Sequence, residues 1–276
     1  MRKLARLIKP ILPPTVFNFL RWAHYKVCHT ANKYPGWYLP WIRMEQRRRL
    51  APFRNRHKGE RCFIIGNGPS LKQTDLTLLK SEVTFGLNRI YLNFDRMGYE
   101  TSYYVCVNSL VLEQTGHEIS EISCPKFVSW AAGRRYLPKN QRSYVFLRTK
   151  GPAELGFNGN LNEEISEGAT VTFVAMQLAF FMGFREVILV GVDHSFATKG
   201  KAHEIVTTED SDPNHFDANY FGKGFRWQLP DLKASELAYS TAKSAFETAG
   251  GRIRDATVGG ALQIFEKANL EQILAE

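Results

Sequence analysis

The sequence Gly-Asn-Gly-Pro-Ser at residues 66–70 directly follows the apolar run 62–65 and combines residue types that could bind a phosphate. Glycines let the backbone approach a ligand closely, and N–H groups at the start of a following helix suit an anion. Leu71 replaces the third glycine of the dinucleotide fingerprint, and the Gly-Lys-Ser/Thr of a P-loop is missing. The spacing therefore fits a phosphate site and a ligand-free turn equally well. The candidate ligand-binding residues in the turn are Gly66, Asn67, Gly68 and Ser70.

Polar residues also follow the next two predicted strands. Asn88 and Arg89 come after residues 83–87, and Asn108 comes after residues 103–107. Ligands of open parallel sheets bind beyond the carboxyl ends of the strands, and an asparagine amide can both donate to and accept from a nucleotide. Asparagines also commonly cap helices. Their recurrence at successive strand ends nevertheless favours a shared site.

Two further segments could contribute to the same edge of the sheet. Gly168-Ala-Thr170 precedes a long apolar stretch, which predicts a helix N-terminus with Thr170 as a second phosphate cradle. The apolar run 186–190 is followed by Asp193 and His194. This acid and this imidazole could belong to the site, although Asp193 could equally cap a turn.

Residues 196–230 form a long polar segment, which is typical of a substrate lid. His215 in this segment could act as a general base near neutral pH, although single loop histidines are more often merely exposed. Asp210-Ser-Asp212 superficially matches a metal motif of many glycosyltransferases. Because loop carboxylates are more often solvated, the sequence assigns no metal.

From residue 61 onward, short apolar runs alternate with amphipathic stretches, which predicts βαβ units. The expected fold over residues 61–276 is α/β, a Rossmann-like, mostly parallel sheet flanked by helices. The predicted strands are Cys62–Ile65, Val83–Leu87, Tyr103–Val107, Lys126–Trp130, Tyr144–Arg148, Val187–Val190 and Arg252–Ala256. The predicted helices are Asp75–Lys80, Ser109–Glu118, Val171–Met182 and Lys233–Ala249, with a short C-terminal helix.

Residues 1–60 are predicted to be a basic, aromatic-rich extension interrupted by prolines. They carry fourteen Lys and Arg and two acidic residues, a net charge of +12. Because the whole chain has a net charge of +9, the remaining residues have a net charge of −3. A basic amphipathic segment with tryptophans suits an anionic membrane surface, but it could equally be a solvated arm packed on the main domain. The chain offers no recognisable nucleic-acid-reading motif, so a nucleic-acid partner is not expected.

The four cysteines are widely spaced, which indicates reduced and mostly buried thiols rather than a zinc site. The sequence contains neither a run of about 18 apolar residues, as in a spanning helix, nor a secretory signal. We therefore expect a cytoplasmic protein, with peripheral association at the inner membrane face as an additional hypothesis. The sequence says little about its oligomeric state.

Several of these motifs together resemble the bacterial family of 6-hydroxymethylpterin-diphosphokinase-like Rossmann domains, over about residues 61–262. That family includes motility accessory factors thought to glycosylate flagellin with nonulosonic acids. A more distant resemblance is to bacterial lipooligosaccharide sialyltransferases that use CMP-sialic acid. The motifs are Ile64–Leu71, Leu87-Asn88-Arg89, Gly168–Val171, Leu189–Asp193, Ala249–Ile253 and Ala256–Gly260.

The sialyltransferase resemblance implies a metal-independent site without a cofactor. In it, Asn67, Gly68 and Ser70 would hold the donor phosphate and sugar, and Asn88 and Asn108 would hold CMP. The stretch Tyr220-Phe-Gly-Lys223 aligns with an element that carries the catalytic histidine in those enzymes, so Lys223 replaces the base. The candidate catalytic residues are therefore His215, His194, Lys223 and Tyr220. His215 or His194 would be a substitute base, or Lys223 would neutralise the leaving phosphate.

These observations predict an enzyme that moves a sugar, such as a nonulosonic acid, from a CMP donor to a surface glycan, glycolipid or protein. Two alternatives stay open. One is diphosphoryl transfer from ATP to a pterin, which normally requires magnesium held by carboxylates near the phosphates. The other is a non-catalytic nucleotide-binding module in glycan assembly.

Overall fold

The computed structural model describes residues 39–138, 143–151, 156–198 and 200–276. The chain divides into two compact units, residues 1–45 and 46–276. Helix α1, Leu39–Leu50, provides the described part of the first unit and continues into the second. The basic and aromatic residues on which the membrane hypothesis rests lie mostly outside the described residues. No helix within the described ranges is both long and apolar enough to cross a membrane.

The second unit is built on one eight-stranded sheet in which every neighbouring pair is parallel. Its strands are β1 Arg61–Ile65, β2 Thr84–Leu87, β3 Tyr103–Cys106, β4 Lys126–Ser129, β5 Tyr144–Leu147, β8 Glu186–Val190, β11 Arg252–Asp255 and β12 Glu266–Lys267. They lie in the order β12-β11-β8-β1-β2-β3-β4-β5. Two short two-stranded sheets pair β6 Thr149–Lys150 with β7 Ile165–Ser166, and β9 Ile205–Thr207 with β10 Arg226–Gln228.

Helices follow most of the strands. They are α2 Phe94–Met97, α3 Ser109–Glu121, α4 Trp130–Tyr136, α5 Val171–Met182, α6 Leu232–Thr248 and α7 Leu270–Ala275. Short 3₁₀ turns cover Ala51–Phe53, Pro69–Gln73, Leu76–Leu79 and Ile90–Asn93. The expected mostly parallel, Rossmann-like α/β fold is confirmed. Helix α4 was not predicted, and the helix predicted at residues 75–80 is a 3₁₀ turn.

The core occupies both faces of the sheet, because its central strands are buried on both sides. In β1, Cys62 and Ile64 join a cluster with α5, whereas Phe63 and Ile65 join a second cluster with α3 on the opposite face. Fully buried parallel strands need apolar side chains on both faces. This is why β1 and β8 are continuous apolar runs in the sequence.

Residues 46–60 belong to the compact second unit. The backbone N–H groups of Asn55, His57 and Gly59 donate to carbonyls at the end of α5 and the residue after it, at 2.9–3.1 Å. Arg148 donates to the Gln46 side chain at 3.0 Å. These bonds attach the segment to the sheet domain.

The predicted lid, residues 196–230, has more structure than its polar composition suggested. Strands β9 and β10 pair antiparallel within it. Its aromatic residues Phe216, Tyr220, Phe221 and Trp227 are buried and belong to the core cluster that contains Phe63. The described aromatic residues of this segment therefore pack together and extend the apolar core on one face of the sheet.

Candidate active site

A cavity lies at the carboxyl ends of β1 and β8, where the strand order reverses direction. Chain connections run outward from β1 through β2 to β5 on one side, whereas β8 pairs on the other side of β1. This switch point is the usual place for a ligand in an open parallel sheet. The described residues that line the cavity include Gly66, Asn67, Gly68, Thr170, Asp193, His194, Asn214, His215, Ser235 and Tyr239.

The two glycines of the turn after β1 allow the end of β8 to pack closely against it. A Cβ atom at Gly66 would lie 2.3 Å from the Gly191 carbonyl oxygen, and one at Gly68 would lie 1.8 Å from Asp193 Oδ2. The Gly68 N–H donates to that same Gly191 carbonyl at 2.9 Å. Close packing of protein groups thus explains why both positions are glycine.

Asp193 occupies the hydrogen-bond donors that we expected to hold a phosphate. The Ser70 N–H donates to Asp193 Oδ1 at 3.0 Å, and the Ser70 hydroxyl donates to Oδ2 at 2.6 Å. Burial raises the pKa of the Asp193 carboxyl, and the two bonds from Ser70 oppose that rise. The expected role of Ser70 as a phosphate ligand therefore disagrees with its hydrogen bonding, because a carboxylate already uses both of its donors.

The asparagines that follow the strands have different environments. The Asn67 amide donates to the Leu87 carbonyl at 3.0 Å, and the side-chain oxygens of Asn67 and Asn88 are buried without a hydrogen-bond partner among the described residues. Asn108 instead caps helix α3, accepting the N–H groups of Leu110 and Val111. Asn67 lines the cavity, whereas Asn88 and Asn108 lie outside the described lining.

Arg89 is buried and holds the 196–230 segment against the end of β2. Its guanidinium donates to the carbonyls of Asn219 and Tyr220 and to the Tyr91 hydroxyl, and it lies over the Phe225 ring at 4.8 Å. The Arg89 guanidinium is thus engaged by groups of the protein itself. Arg89 therefore positions a loop, in contrast to the expected contact with the donor.

The start of α5 also lines the cavity. Gly168 and Ala169 have positive φ values of 55° and 60°, which turn the chain sharply before the helix. Thr170 caps the helix by accepting the Thr172 N–H, and its hydroxyl lies 3.3 Å from the Tyr239 hydroxyl of α6. Helix α5 has twelve residues, and the positive end of its dipole is thus directed at the cavity.

His215 forms a carboxylate–imidazole pair with Asp212. Asp212 Oδ2 lies 2.7 Å from His215 Nδ1, and the two side chains are 2% and 12% exposed. The His215 ring also stacks on the Tyr220 ring, with centroids 3.9 Å apart and an angle of 8° between the planes. The imidazole is therefore held in one orientation at the edge of the cavity.

Asp212 itself is fixed by the backbone around it. It accepts the N–H of Asn214 at 2.8 Å and that of Phe221 at 3.2 Å. The sequence suggested a solvated loop carboxylate, and Asp212 was not among the predicted site residues. Its spacing of three residues from His215 was the available indication, because that spacing lets the two side chains meet across a turn.

His194 also lines the cavity. Its φ of 56° is a left-handed conformation, and its Nε2 lies 3.0 Å from Glu236 Oε1 on α6. Its side chain is 7% exposed and packs 6.2 Å from the Tyr239 ring, centroid to centroid. Tyr239 also lines the cavity, and the sequence reasoning did not identify it.

Two of the predicted catalytic residues lie away from the described lining of the cavity. Tyr220 is buried, its hydroxyl accepts the Arg89 N–H, and burial raises the pKa of its phenol. Lys223 is exposed in the turn between β9 and β10. In the part of the chain that the structure describes, no three His, Cys, Asp or Glu side chains form a metal-binding group.

Comparison with known proteins gives two matches and one negative result. The family model described as "6-hydroxymethylpterin diphosphokinase MptE-like" matches residues 42–199. A solved MAf glycosyltransferase from Magnetospirillum magneticum AMB-1 aligns with a TM-score of 0.48 and 17% identity, over 82% of this chain and 38% of that one. No curated protein matches. Since the family model covers more than half of the residues of this chain, the chain belongs to the MptE-like family.

Proposed function

We propose that this protein transfers a sugar from a CMP-activated donor to a hydroxyl group of a glycan, a glycolipid or a protein. The observation that carries this proposal is the Asp212–His215 pair at the edge of a cavity that the start of helix α5 also lines. The pair supplies a base, and the helix start favours an anion.

His215 is the proposed general base. A carboxylate 2.7 Å from Nδ1 favours the tautomer that carries its proton there, which leaves Nε2 free to accept a proton. Stacking on Tyr220 and burial of Asp212 fix the plane of the ring. Such positioning is what general-base catalysis of a hydroxyl attack requires.

The start of α5 is the proposed site of the donor phosphate. Helix N-termini stabilise anions through their dipole and N–H groups, and the Thr170 and Tyr239 hydroxyls lie beside this one. Among the described lining residues, those with a carboxylate or an ionisable nitrogen are Asp193, His194 and His215. This small set suits the single negative charge of the phosphodiester in a CMP-sugar.

In the proposed reaction, the acceptor oxygen attacks the anomeric carbon of the donor sugar. The bond from that carbon to the phosphate oxygen breaks, and its electron pair leaves with CMP. The acceptor proton moves to His215 Nε2. The helix dipole of α5 and a hydrogen bond donated by His194 would stabilise the charge that develops on the leaving phosphate.

CMP release from a panel of CMP-sugars, with and without glycan acceptors, tests the proposal. We expect turnover of at least one donor, and His215→Gln should lower it by about 100- to 10,000-fold. His203→Asn is a matched control, because His203 also pairs with an aspartate, Asp231 at 3.5 Å, but is 44% exposed and lies outside the described lining. Donor binding without turnover would indicate a non-catalytic module, and equal effects of the two substitutions would argue against His215 as base.

The family match favours one alternative, diphosphoryl transfer from ATP to 6-hydroxymethylpterin. The same preparation should be assayed for AMP formation from ATP, magnesium and that pterin. Formation of AMP that depends on the pterin, together with failure to use any CMP-sugar, would replace the glycosyl transfer proposal with this activity.

A further inference from the structure

The cavity has two chemically different walls. One begins helix α5 and presents the positive end of its dipole together with the Thr170 cap. The other wall contains the turn after β1 and Asp193. We call the part formed by Asn67 and Asp193 the acceptor wall. The polar atoms of this wall favour a ligand group that donates hydrogen bonds, whereas the glycine turn alone suggests a phosphate.

The Asp193 carboxylate lies where a phosphate would otherwise sit above the turn. Both of its oxygens already accept from Ser70, at 3.0 Å from the N–H and 2.6 Å from the hydroxyl. The position of a Gly68 Cβ atom would be only 1.8 Å from Asp193 Oδ2, so the carboxylate is packed against the turn. A phosphate at this wall would meet a negative charge and would lack the donors of Ser70.

Asn67 adds a second acceptor to the wall. Its side-chain NH₂ must point towards the Leu87 carbonyl, to which it donates at 3.0 Å, and this fixes the orientation of the amide. The other end of the amide, Oδ1, is buried and has no hydrogen-bond partner among the described residues. An acceptor left without a hydrogen bond is unfavourable, so a ligand group that donates a hydrogen bond would be favoured there.

We propose that the acceptor wall binds hydroxyl groups of a sugar ring and that the donor phosphate lies at the α5 wall. Carboxylate and amide oxygens accept hydrogen bonds, which hydroxyls can donate and a phosphodiester cannot. This assignment rests on the proposed function and orients the donor within the cavity. The hydroxyls come either from the ribose or from the transferred sugar.

Calorimetric binding to the full chain tests this assignment. The probes are CMP, 2′,3′-dideoxy-CMP, CMP-N-acetylneuraminic acid and inorganic phosphate, and the variant is Asp193→Asn, which keeps an acceptor for the Ser70 N–H. If the ribose lies at the wall, removing its hydroxyls should weaken binding to the wild type by about 10- to 100-fold and should weaken binding to the variant far less. If the transferred sugar lies there, the substitution should weaken binding of the CMP-sugar by a similar factor and leave CMP unchanged.

Tighter binding of CMP or inorganic phosphate to Asp193→Asn would overturn the assignment, because the carboxylate would then be repelling a phosphate next to it. Equal binding of every probe by the two proteins would also overturn it. Asp210→Asn is the control, since Asp210 is an exposed carboxylate outside the described lining. A second variant, Asn67→Leu, should give the same pattern if Asp193→Asn fails to fold.

UDP, GDP and ATP, each with its 2′,3′-dideoxy form, separate this inference from the proposed function. Preference for one of them over CMP would contradict the CMP donor, while loss of affinity in its dideoxy form would still support the acceptor wall. Failure of every nucleotide and of the CMP-sugar to bind would contradict both.

Discussion

Asp210 and Asp212 are separated by one serine and have opposite environments. Asp210 is exposed, whereas the side chain of Asp212 is 2% exposed and lies 2.7 Å from His215 Nδ1. The difference arises from the turn that follows, where the N–H groups of Asn214 and Phe221 point at the Asp212 carboxylate. A carboxylate held in this way can orient an imidazole, and an exposed one cannot.

We therefore expect Asp212→Asn to lower kcat by at least about 100-fold, because the imidazole loses the acceptor that fixes its tautomer. The measurement is turnover of whichever donor the wild type uses, with Asp210→Asn as the matched control. The fold should survive, since asparagine still offers an oxygen to one of the two N–H groups. A loss shared by both variants would contradict the pairing.

Single residues were predictable from the sequence only in part. The sequence placed Asp193, His194, Thr170 and His215 at the site, and the structure brings all four to one cavity. It could not distinguish Asn67, which lines that cavity, from Asn108, which caps a helix, because asparagine suits both roles. It also could not reveal that the Arg89 guanidinium donates to the carbonyls of residues 219 and 220, far away in sequence.

At the scale of elements, the turn after β1 and the end of β8 pack as one unit. The backbone of Gly66 and Gly68 accepts the close approach of Gly191 and Asp193 because neither glycine has a side chain. The sequence correctly marked this turn as a place of close approach. It could not show that the approaching group is the protein's own carboxylate.

Gly68→Ala should destabilise the protein, because its Cβ atom would lie 1.8 Å from Asp193 Oδ2. Overpacking of this kind costs about 1–3 kcal/mol, which corresponds to a Tm lower by about 2–10 °C. Thermal unfolding measures it, and Gly151→Ala is the control because a Cβ atom there meets nothing within 4 Å. An unchanged Tm for Gly68→Ala would mean that the carboxylate is free to move aside.

Arg89 connects two other elements, the end of β2 and the 196–230 segment. Arg89→Ala should speed amide hydrogen exchange about 10-fold or more around residues 212–221, because the carbonyls of Asn219 and Tyr220 lose their charged donor. Arg226→Ala is the matched control, since Arg226 is half exposed and its guanidinium pairs with Glu113. Exchange that rises equally in both variants would contradict a special role for Arg89.

The main sheet was the most predictable set of elements. Seven of its eight strands were predicted, and central strands such as β1 and β8 are mainly apolar because strands buried on both faces need apolar side chains on both sides. Strand β12, Glu266–Lys267, is exposed and only two residues long, so it gives no such pattern. The short strands β9 and β10 escaped prediction because they depend on aromatic packing between distant residues of the loop.

At the scale of the whole molecule, the positive charge is concentrated before the compact second unit. Residues 1–45 contain eight Lys and Arg against one acid, a net charge of +7, which leaves +2 for residues 46–276. Most of residues 1–45 lie outside the described ranges, so the expected membrane association stays a prediction from the sequence.

The 276-residue chain should bind vesicles that contain phosphatidylglycerol and should dissociate from them as salt is raised. Basic residues near an anionic surface contribute about 1 kcal/mol each at low salt, and counterions screen that attraction. Co-sedimentation measures the binding, with phosphatidylcholine vesicles as the control. Equal binding to both kinds of vesicle, or binding insensitive to salt, would contradict an electrostatic association.

The pairing of β1 with β8 also has a consequence for how the protein is made. Phe63 pairs with Ile188, so while the ribosome is still synthesising the residues between them, one edge of β1 has no neighbour. An unpaired apolar strand edge is where nascent chains aggregate. The cavity depends on this same late pairing, and translation must pass Tyr239 before every described wall exists. A truncated product ending inside the sheet would therefore lack the site and also be a client for chaperones.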